Sequence, residues 1–218
     1  MAHRVRQVPL DAPTTAEFDA DGWVAIPDVL NAEGRKQTLR VISRLVEQAH
    51  REPRARDRVT GGTLHLDVLA ASPDPQLPQV WVDDRILTLV RHHLGPAPDI
   101  GAAAYRAPLA GYGAQTLHVD WPAPIYDERW QVCNALVALV DIDERAGPTR
   151  VVPGTHRTPD TRFRAKSPTD RHPRQALLTG PAGSAFVFSG HLLHSGTLNS
   201  TDAPRHALLI NYRRADPA

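Results

Sequence analysis

Two short motifs in this chain place an aspartate two positions after a histidine: His118 and Asp120 in "HVDWP", and His65 and Asp67 in "HLD". On extended backbone, residues two apart point to one face, so either pair could offer an imidazole and a carboxylate to one ion. A third ligand separates them. His194 closes the apolar run "AFVFSGHLL", which reads as a strand, and Arg205 opens the run "RHALLINY" eleven residues later. The Gly-, Asn-, Ser- and Pro-containing segment between them reads as a turn that sets the two strands side by side. His118, Asp120 and His194 then make a face of two imidazoles and one carboxylate, the facial triad of non-haem Fe(II) oxygenases. A structural zinc site would instead fill four positions with protein ligands. The open positions would admit a chelating cosubstrate and then dioxygen. Arg205 suits a cosubstrate with a distal carboxylate, because guanidinium matches carboxylate oxygens bidentately and keeps its charge when buried.

Ligands so far apart in sequence need a framework that brings them together. Residues 1–13 read as a tail. Thr14 or Thr15 starts a short helical turn, and Trp23 to Ile26 form a strand that Pro27 ends. Asn31 caps a helix whose Leu39, Ile42, Leu45, Val46 and Ala49 recur on one face. "REPRARDRVTGG" reads as a charged loop, "TLHLDVL" as a weak strand and "SPDPQLP" as a proline-broken loop. Asp83 or Asp84 caps a second helix, with Ile86, Leu87, Val90 and Leu94 inward and Gly95 as its stop. Beyond Pro98, short apolar runs alternate with Gly/Pro turns: "IGAAAYRA", "AQTLHVD", "WQVCNALVALVDI", "TRVVPG", "QALLTG", "SAFVFSG" and "RHALLINYRR". That spacing predicts a β sandwich or barrel, here with the N-terminal helices packed on a jelly roll. Residues 154–174 are polar and proline-dotted, as a lid over a site would be. At 218 residues the chain is expected to form one domain.

The motifs "FDADGWVAIPDVL", "QTLHVD", "GPTRVVPGTHR" and "HLLHSGTLNSTDAPRHALLINY" occur in this order from residue 18 to 212. In them the chain resembles the phytanoyl-CoA dioxygenase-like (PhyH) family of Fe(II)/2-oxoglutarate oxygenases. The resemblance implies a mainly β fold, the double-stranded β-helix or cupin-like jelly roll. It implies His118, Asp120 and His194 as iron ligands and Arg205 as partner of the 2-oxoglutarate C5 carboxylate. Thr116 and Asn134 occupy positions that often contact the cosubstrate. An aromatic common in the family near Leu136 is absent, and Trp121 or Trp130 could supply an aromatic wall instead. The implied reaction consumes O2 and 2-oxoglutarate, releases succinate and CO2 and hydroxylates an unactivated C–H bond. Related halogenases carry a small residue where this chain has Asp120, so a carboxylate there favours oxygenation.

Composition limits the alternatives. Lys and Arg number 25 against 24 Asp and Glu, without long blocks of one sign, so no nucleic-acid stripe or polybasic membrane patch stands out. Cys133 is the single cysteine, which excludes an intrachain disulfide and a cysteine-rich zinc site, and it reads as a small core residue. The first residues lack a signal-peptide core and no apolar run reaches membrane-spanning length, so a cytoplasmic location is expected. A small-molecule partner is expected, natural-product-like or amino-acid-like; no oligomeric state is encoded legibly. His65 and Asp67 read as a strand edge at the cavity mouth, and His191 as facing away from His194. His156 reads as a hydrogen-bonding residue of a tight turn, and His92 and His93 as helix-terminal cations. Two rivals remain: a non-catalytic jelly roll, or a cupin-like metal protein that does not use 2-oxoglutarate.

Overall fold

The computed structural model describes residues 13–51, 57–71, 80–122, 129–159 and 163–215. The tail expected at 1–13 lies outside them except for Pro13, and so does the proline-broken loop at 72–78. Helix α1 (Pro13–Asp21) leads into strand β1 (Trp23–Ile26) and helix α2 (Ala32–Arg51). Strands β2 (Asp57–Thr60) and β3 (Thr63–Asp67) follow, then α3 (Val68–Ala71) and α4 (Asp84–Leu94). The remainder is β: β4 (Asp99–Pro108), β5 (Val132–Ala138), β6 (Thr149–Val151), β7 (Ala176–Leu178), β8 (Ala185–Ser189), β9 (His194–Gly196) and β10 (Ala207–Arg213).

The helix ends follow from local chemistry. The Asn31 side chain accepts from the Gly34 amide at 2.8 Å, and the Asp83 side chain accepts from the amides of Arg85 and Ile86. Gly95 stops α4 with a φ of 103°, a value open to glycine. Helix α1 starts at Pro13, one residue ahead of the threonines expected to begin it, because the fixed φ of proline suits the first helical position.

All strand pairs are antiparallel, in a seven-stranded sheet of order β1-β8-β5-β10-β4-β3-β2 and a three-stranded sheet of order β7-β6-β9. Facing each other, they make the expected jelly roll. Strand β5 is buried on both faces, and its alternation shows why. Cys133, Ala135 and Val137 join Leu208, Ile210 and Tyr212 of β10 in a core shared with Phe18, Val41, Ile42, Leu45, Ile86, Leu89 and Val90 of the helices. Leu136 and Ala138 point the other way, into a second core with Val151, Leu178, Phe186, Phe188 and Leu192. Helices thus seal the outer face of the large sheet, and its inner face is left for the small sheet and the site. Among the described residues no helix is long and apolar enough to cross a membrane.

Three local expectations are corrected. The charged loop ends early: Asp57–Thr60 is strand β2, paired with β3 across Gly61 and Gly62, whose φ values are 55° and 69°. Two consecutive glycines with positive φ make the twist-matched two-residue hairpin turn. The run "AFVFSGHLL" is not one strand: β8 ends at Ser189, the chain turns over residues 190–193, and His194 opens β9 in the opposite sheet. Consequently β9 and β10 are not neighbours but belong to different sheets. Asn199, fully buried, pins this crossover by donating to the carbonyls of Pro108 at 3.0 Å and Ala203 at 2.8 Å.

Candidate metal centre

His118 lies on an extended segment that forms no regular strand yet runs beside β9. Gln115 N donates to Gly196 O at 3.0 Å, and Asp120 N donates to Gly190 O at 2.8 Å. Between them His118 and His194 exchange both backbone hydrogen bonds, at 2.9 and 2.8 Å, as an isolated antiparallel bridge. Directly opposed residues share a face, so this bridge sets the two imidazoles side by side, their centroids 4.7 Å apart. Each ring is oriented in the same way. His118 Nδ1 meets the Thr116 carbonyl at 2.8 Å and His194 Nδ1 meets the Leu192 carbonyl at 2.8 Å. A carbonyl only accepts, so each Nδ1 carries the proton and each Nε2 presents a lone pair inward.

Asp120 completes the group. Its carboxylate oxygens stand 3.8 Å from His118 Nε2 and 3.6 Å from His194 Nε2. One donor atom from each of the three residues lies within 4.8 Å of the others, the sole such grouping among the described residues. Ligands bound at right angles with bonds of about 2.1 Å stand about 3 Å apart, so this donor set closes on one ion by side-chain adjustments on the order of an ångström. Burial holds the His194 imidazole neutral, against the opposing pull of Asp120, and a neutral ring is what a metal requires. Asn134 Nδ2 donates to Asp120 Oδ2 at 2.7 Å, and Asn211 Nδ2 donates to Asn134 Oδ1 at 2.9 Å. β5 and β10 place Asn134 and Asn211 opposite each other in register.

A cavity of about 300 Å³ opens on the three residues, and Asn134, Leu136, Phe188, Arg205 and Leu209 help line it. This is the lower end of the range for small-ligand pockets. Arg205 is 6 % exposed, and its Nη1 donates to Gly147 O at 2.8 Å while Nε has no partner. Burial, with Arg106 nearby, lowers its pKa to about 10, so it stays charged at neutral pH. Among the described residues no carboxylate pairs with it: a buried cation faces the cavity without a counter-charge.

The other sequence candidates fall as follows. Thr116 acts on the centre through its carbonyl, and Gly113, Ala114 and Gln115 before it line the cavity. Trp121 is exposed, and Trp130 lies elsewhere, stacked on His93 at 5.2 Å. The aromatic wall is Phe188, 5.0 Å from the His194 ring, a residue the sequence reading passed over. Register on β8 sets it opposite Asn134, a placement that no local sequence signal marks. His65 reaches the cavity mouth, as expected. Thr149 and Gln115 were missed as wall residues, and Arg106, one of several strand arginines and tyrosines that could reach a substrate, joins them in the wall.

His191 is turned away, but by a loop and not by strand alternation: its Nε2 accepts from Gln131 N at 2.9 Å. Burial lowers its pKa to about 4. His156 meets Asp19 O at 3.2 Å, within the expected structural role. His93 is not a helix-terminal cation: it is buried against Ser189 Oγ at 2.9 Å, and burial lowers its pKa to about 2. Arg150, fully buried, ties the 163–170 segment down by donating to the carbonyls of Pro168 and Asp170.

Comparison with known proteins agrees with this geometry. The family model for phytanoyl-CoA dioxygenase (PhyH) matches residues 18–207. The ectoine dioxygenase of Halomonas elongata is 25 % identical over 95 % of this chain and 71 % of its own. Among solved structures, the epimerase SnoN in complex with Fe3+, alpha-ketoglutarate and nogalamycin RO superposes with a TM-score of 0.72 at 22 % identity, covering 92 % of this chain and 82 % of its own. HygX from Streptomyces hygroscopicus, with nickel, 2-oxoglutarate and hygromycin B, gives 0.70 at 18 % identity, covering 94 % and 88 %.

Proposed function

The chain belongs to the phytanoyl-CoA dioxygenase family, and from that premise we propose that His118, Asp120 and His194 hold the ferrous ion of a 2-oxoglutarate-dependent dioxygenase acting on a small molecule. The observation that carries this reading is the meeting of three metal-ligating side chains and one unpaired, buried guanidinium in a single cavity. Iron, 2-oxoglutarate and O2 together supply the oxidising power, with release of succinate and CO2 and transfer of oxygen to a C–H bond.

The protein's part is positioning. His118 and His194 offer Nε2 because backbone carbonyls hold their Nδ1 protons. Asp120 contributes the negative charge that offsets part of the metal's, and Asn134 fixes the carboxylate plane. A carboxylate at 120 occupies the position that halide would need, which favours oxygen transfer. Arg205 receives the distal carboxylate of the keto acid: its fork is buried, charged and half satisfied by Gly147. Leu136, Phe188 and Leu209 keep the pocket dry beside the reacting atoms. Three relatives are named for, or hold, small molecules: ectoine, nogalamycin RO and hygromycin B. The cavity of about 300 Å³ suits the smallest of these, ectoine, in size.

The test is Asp120→Ala, assayed for Fe(II) or Co(II) binding and for succinate release. Succinate release should be lost and metal affinity should fall, because two imidazoles without the carboxylate hold a divalent ion less tightly. Retention of metal and turnover would overturn the ligand assignment.

A further inference from the structure

A second guanidinium shares the cavity with Arg205. Arg106 lies on the inner face of β4, in register with His65 of β3 on one side and Ala207 of β10 on the other. It is largely buried, and its Nε has no hydrogen-bond partner. Among the described residues its side-chain hydrogen-bond partner is His65, Nη1 to Nε2 at a long 3.4 Å. Among the described residues no carboxylate pairs with it. Asp120 exerts a favourable field on Arg106 from a distance, but the Asp120 oxygens face Asn134 and the two imidazoles.

Charge balance then distinguishes the two arginines, given the iron and 2-oxoglutarate reading above, on which this inference rests. A ferrous ion, Arg205 and Arg106 bring four positive charges to the pocket. Asp120 and a doubly ionised 2-oxoglutarate bring three negative ones. The two ligand imidazoles add no charge when they coordinate a metal, and burial and Arg106 lower the His65 pKa to about 4, which keeps that ring neutral. Among the described residues that line the pocket one positive charge is left over, and a largely buried, partly unsatisfied guanidinium is costly until an anion meets it. Arg205 matches the keto acid; Arg106 has nothing to match.

We propose that Arg106, backed by His65, is the specificity-determining residue that binds a carboxylate on the substrate, so that the substrate is a small monoanionic acid. One residual charge calls for a carboxylate and not a doubly charged phosphate. A guanidinium also accepts a carboxylate in a planar, bidentate way. His65 adds direction. Arginine can only donate, so His65 Nε2 accepts from it, and His65 Nδ1 bears a proton that can reach a second substrate oxygen.

The experiment uses the whole protein loaded with Co(II) in place of Fe(II). 2-Oxoglutarate is titrated calorimetrically into wild type, Arg205→Gln and Arg106→Gln. Acetate, the smallest carboxylate probe, is then added at saturating 2-oxoglutarate, and paramagnetic broadening of its methyl proton signal is read. Arg205→Gln should weaken 2-oxoglutarate at least about tenfold, the scale of a lost charged hydrogen bond, and Arg106→Gln by less than about threefold. Acetate broadening should be present in wild type, fall several-fold in Arg106→Gln and return in part in Arg106→Lys, which also controls for folding. If Arg106→Gln weakens 2-oxoglutarate as much as Arg205→Gln, Arg106 serves the cosubstrate and the proposal is overturned. It is overturned equally if acetate broadening is absent in wild type or unchanged in Arg106→Gln. Failure of wild type to bind 2-oxoglutarate would instead sink the cosubstrate reading, and the acetate comparison would still judge Arg106.

Discussion

Replacing Asn134 with leucine removes the side-chain donor held against Asp120 while keeping a similar volume in the wall between β5 and β8. In the structure this amide donates to Asp120 Oδ2 at 2.7 Å and is itself held by Asn211 at 2.9 Å. Among the described residues it is the only donor that the Asp120 carboxylate receives. The two imidazoles are each anchored by a carbonyl, so Asp120 is the ligand whose orientation depends on one bond. A hydrogen bond to a charged group contributes about 1.5–3 kcal/mol, or roughly tenfold to a hundredfold in affinity. The Asp120 side chain is 32 % exposed, so water replaces part of what is lost and the lower end applies. We therefore expect Co(II) affinity to fall about tenfold, consistent with the usual effect of removing a ligand's hydrogen-bond partner. Asn211→Ala, one link further out, should cost less, about threefold. The assay is competitive Co(II) titration against a chromophoric chelator, with the thermal midpoint recorded for each variant. Wild-type affinity in a folded Asn134→Leu protein would refute the idea that this amide holds the carboxylate in place for metal.

Two further outcomes follow from other parts of the molecule. Gly147 has a φ of 72°, and an added Cβ would sit 2.9 Å from Asn199 N and 3.0 Å from Thr197 O, both backbone. Gly147→Ala should destabilise by about 2–3 kcal/mol, a drop of roughly 5–10 °C in Tm. It should also weaken 2-oxoglutarate by displacing the carbonyl that holds Arg205, and a wild-type Tm would contradict the crowding. Acid should destabilise the fold through its buried imidazoles. The His93 pKa lies at about 2 in the fold against 6.5 outside it. Above 6.5 both states are neutral and nothing is gained or lost. As pH falls from 6.5 the unfolded chain takes up a proton that the native ring refuses, so stability declines until the native pKa is reached. From 6.5 to pH 5 this one histidine costs up to about 2 kcal/mol. Urea midpoints at pH 7 and 5 should show a smaller difference in His93→Asn than in wild type; equal differences would show that this ring does not set the slope.

The side chains that meet in the cavity were legible in the sequence because ligand chemistry leaves few choices. His118, Asp120, His194 and Arg205 are types that bind ions or carboxylates, and their order matches a known family. Caps at Asn31 and Asp83, the β1 strand and the stop at Gly95 were also readable, since each depends on contacts within a few residues. What failed was long-range pairing. The apolar pattern of "AFVFSGHLL" is the same whether the chain continues or changes sheet, so only the fold could show His194 opening a strand in the other sheet. The same holds for the walls. Phe188 and Arg106 carry no local mark of function; they reach the cavity because register on β8 and β4 turns them inward. His93 read as a surface cation because sequence gives the position of a helix end but not whether that end is buried. Sequence determined which chemistry was available. Tertiary structure decided which side chains face one another, because burial and register are set by packing between segments distant along the chain.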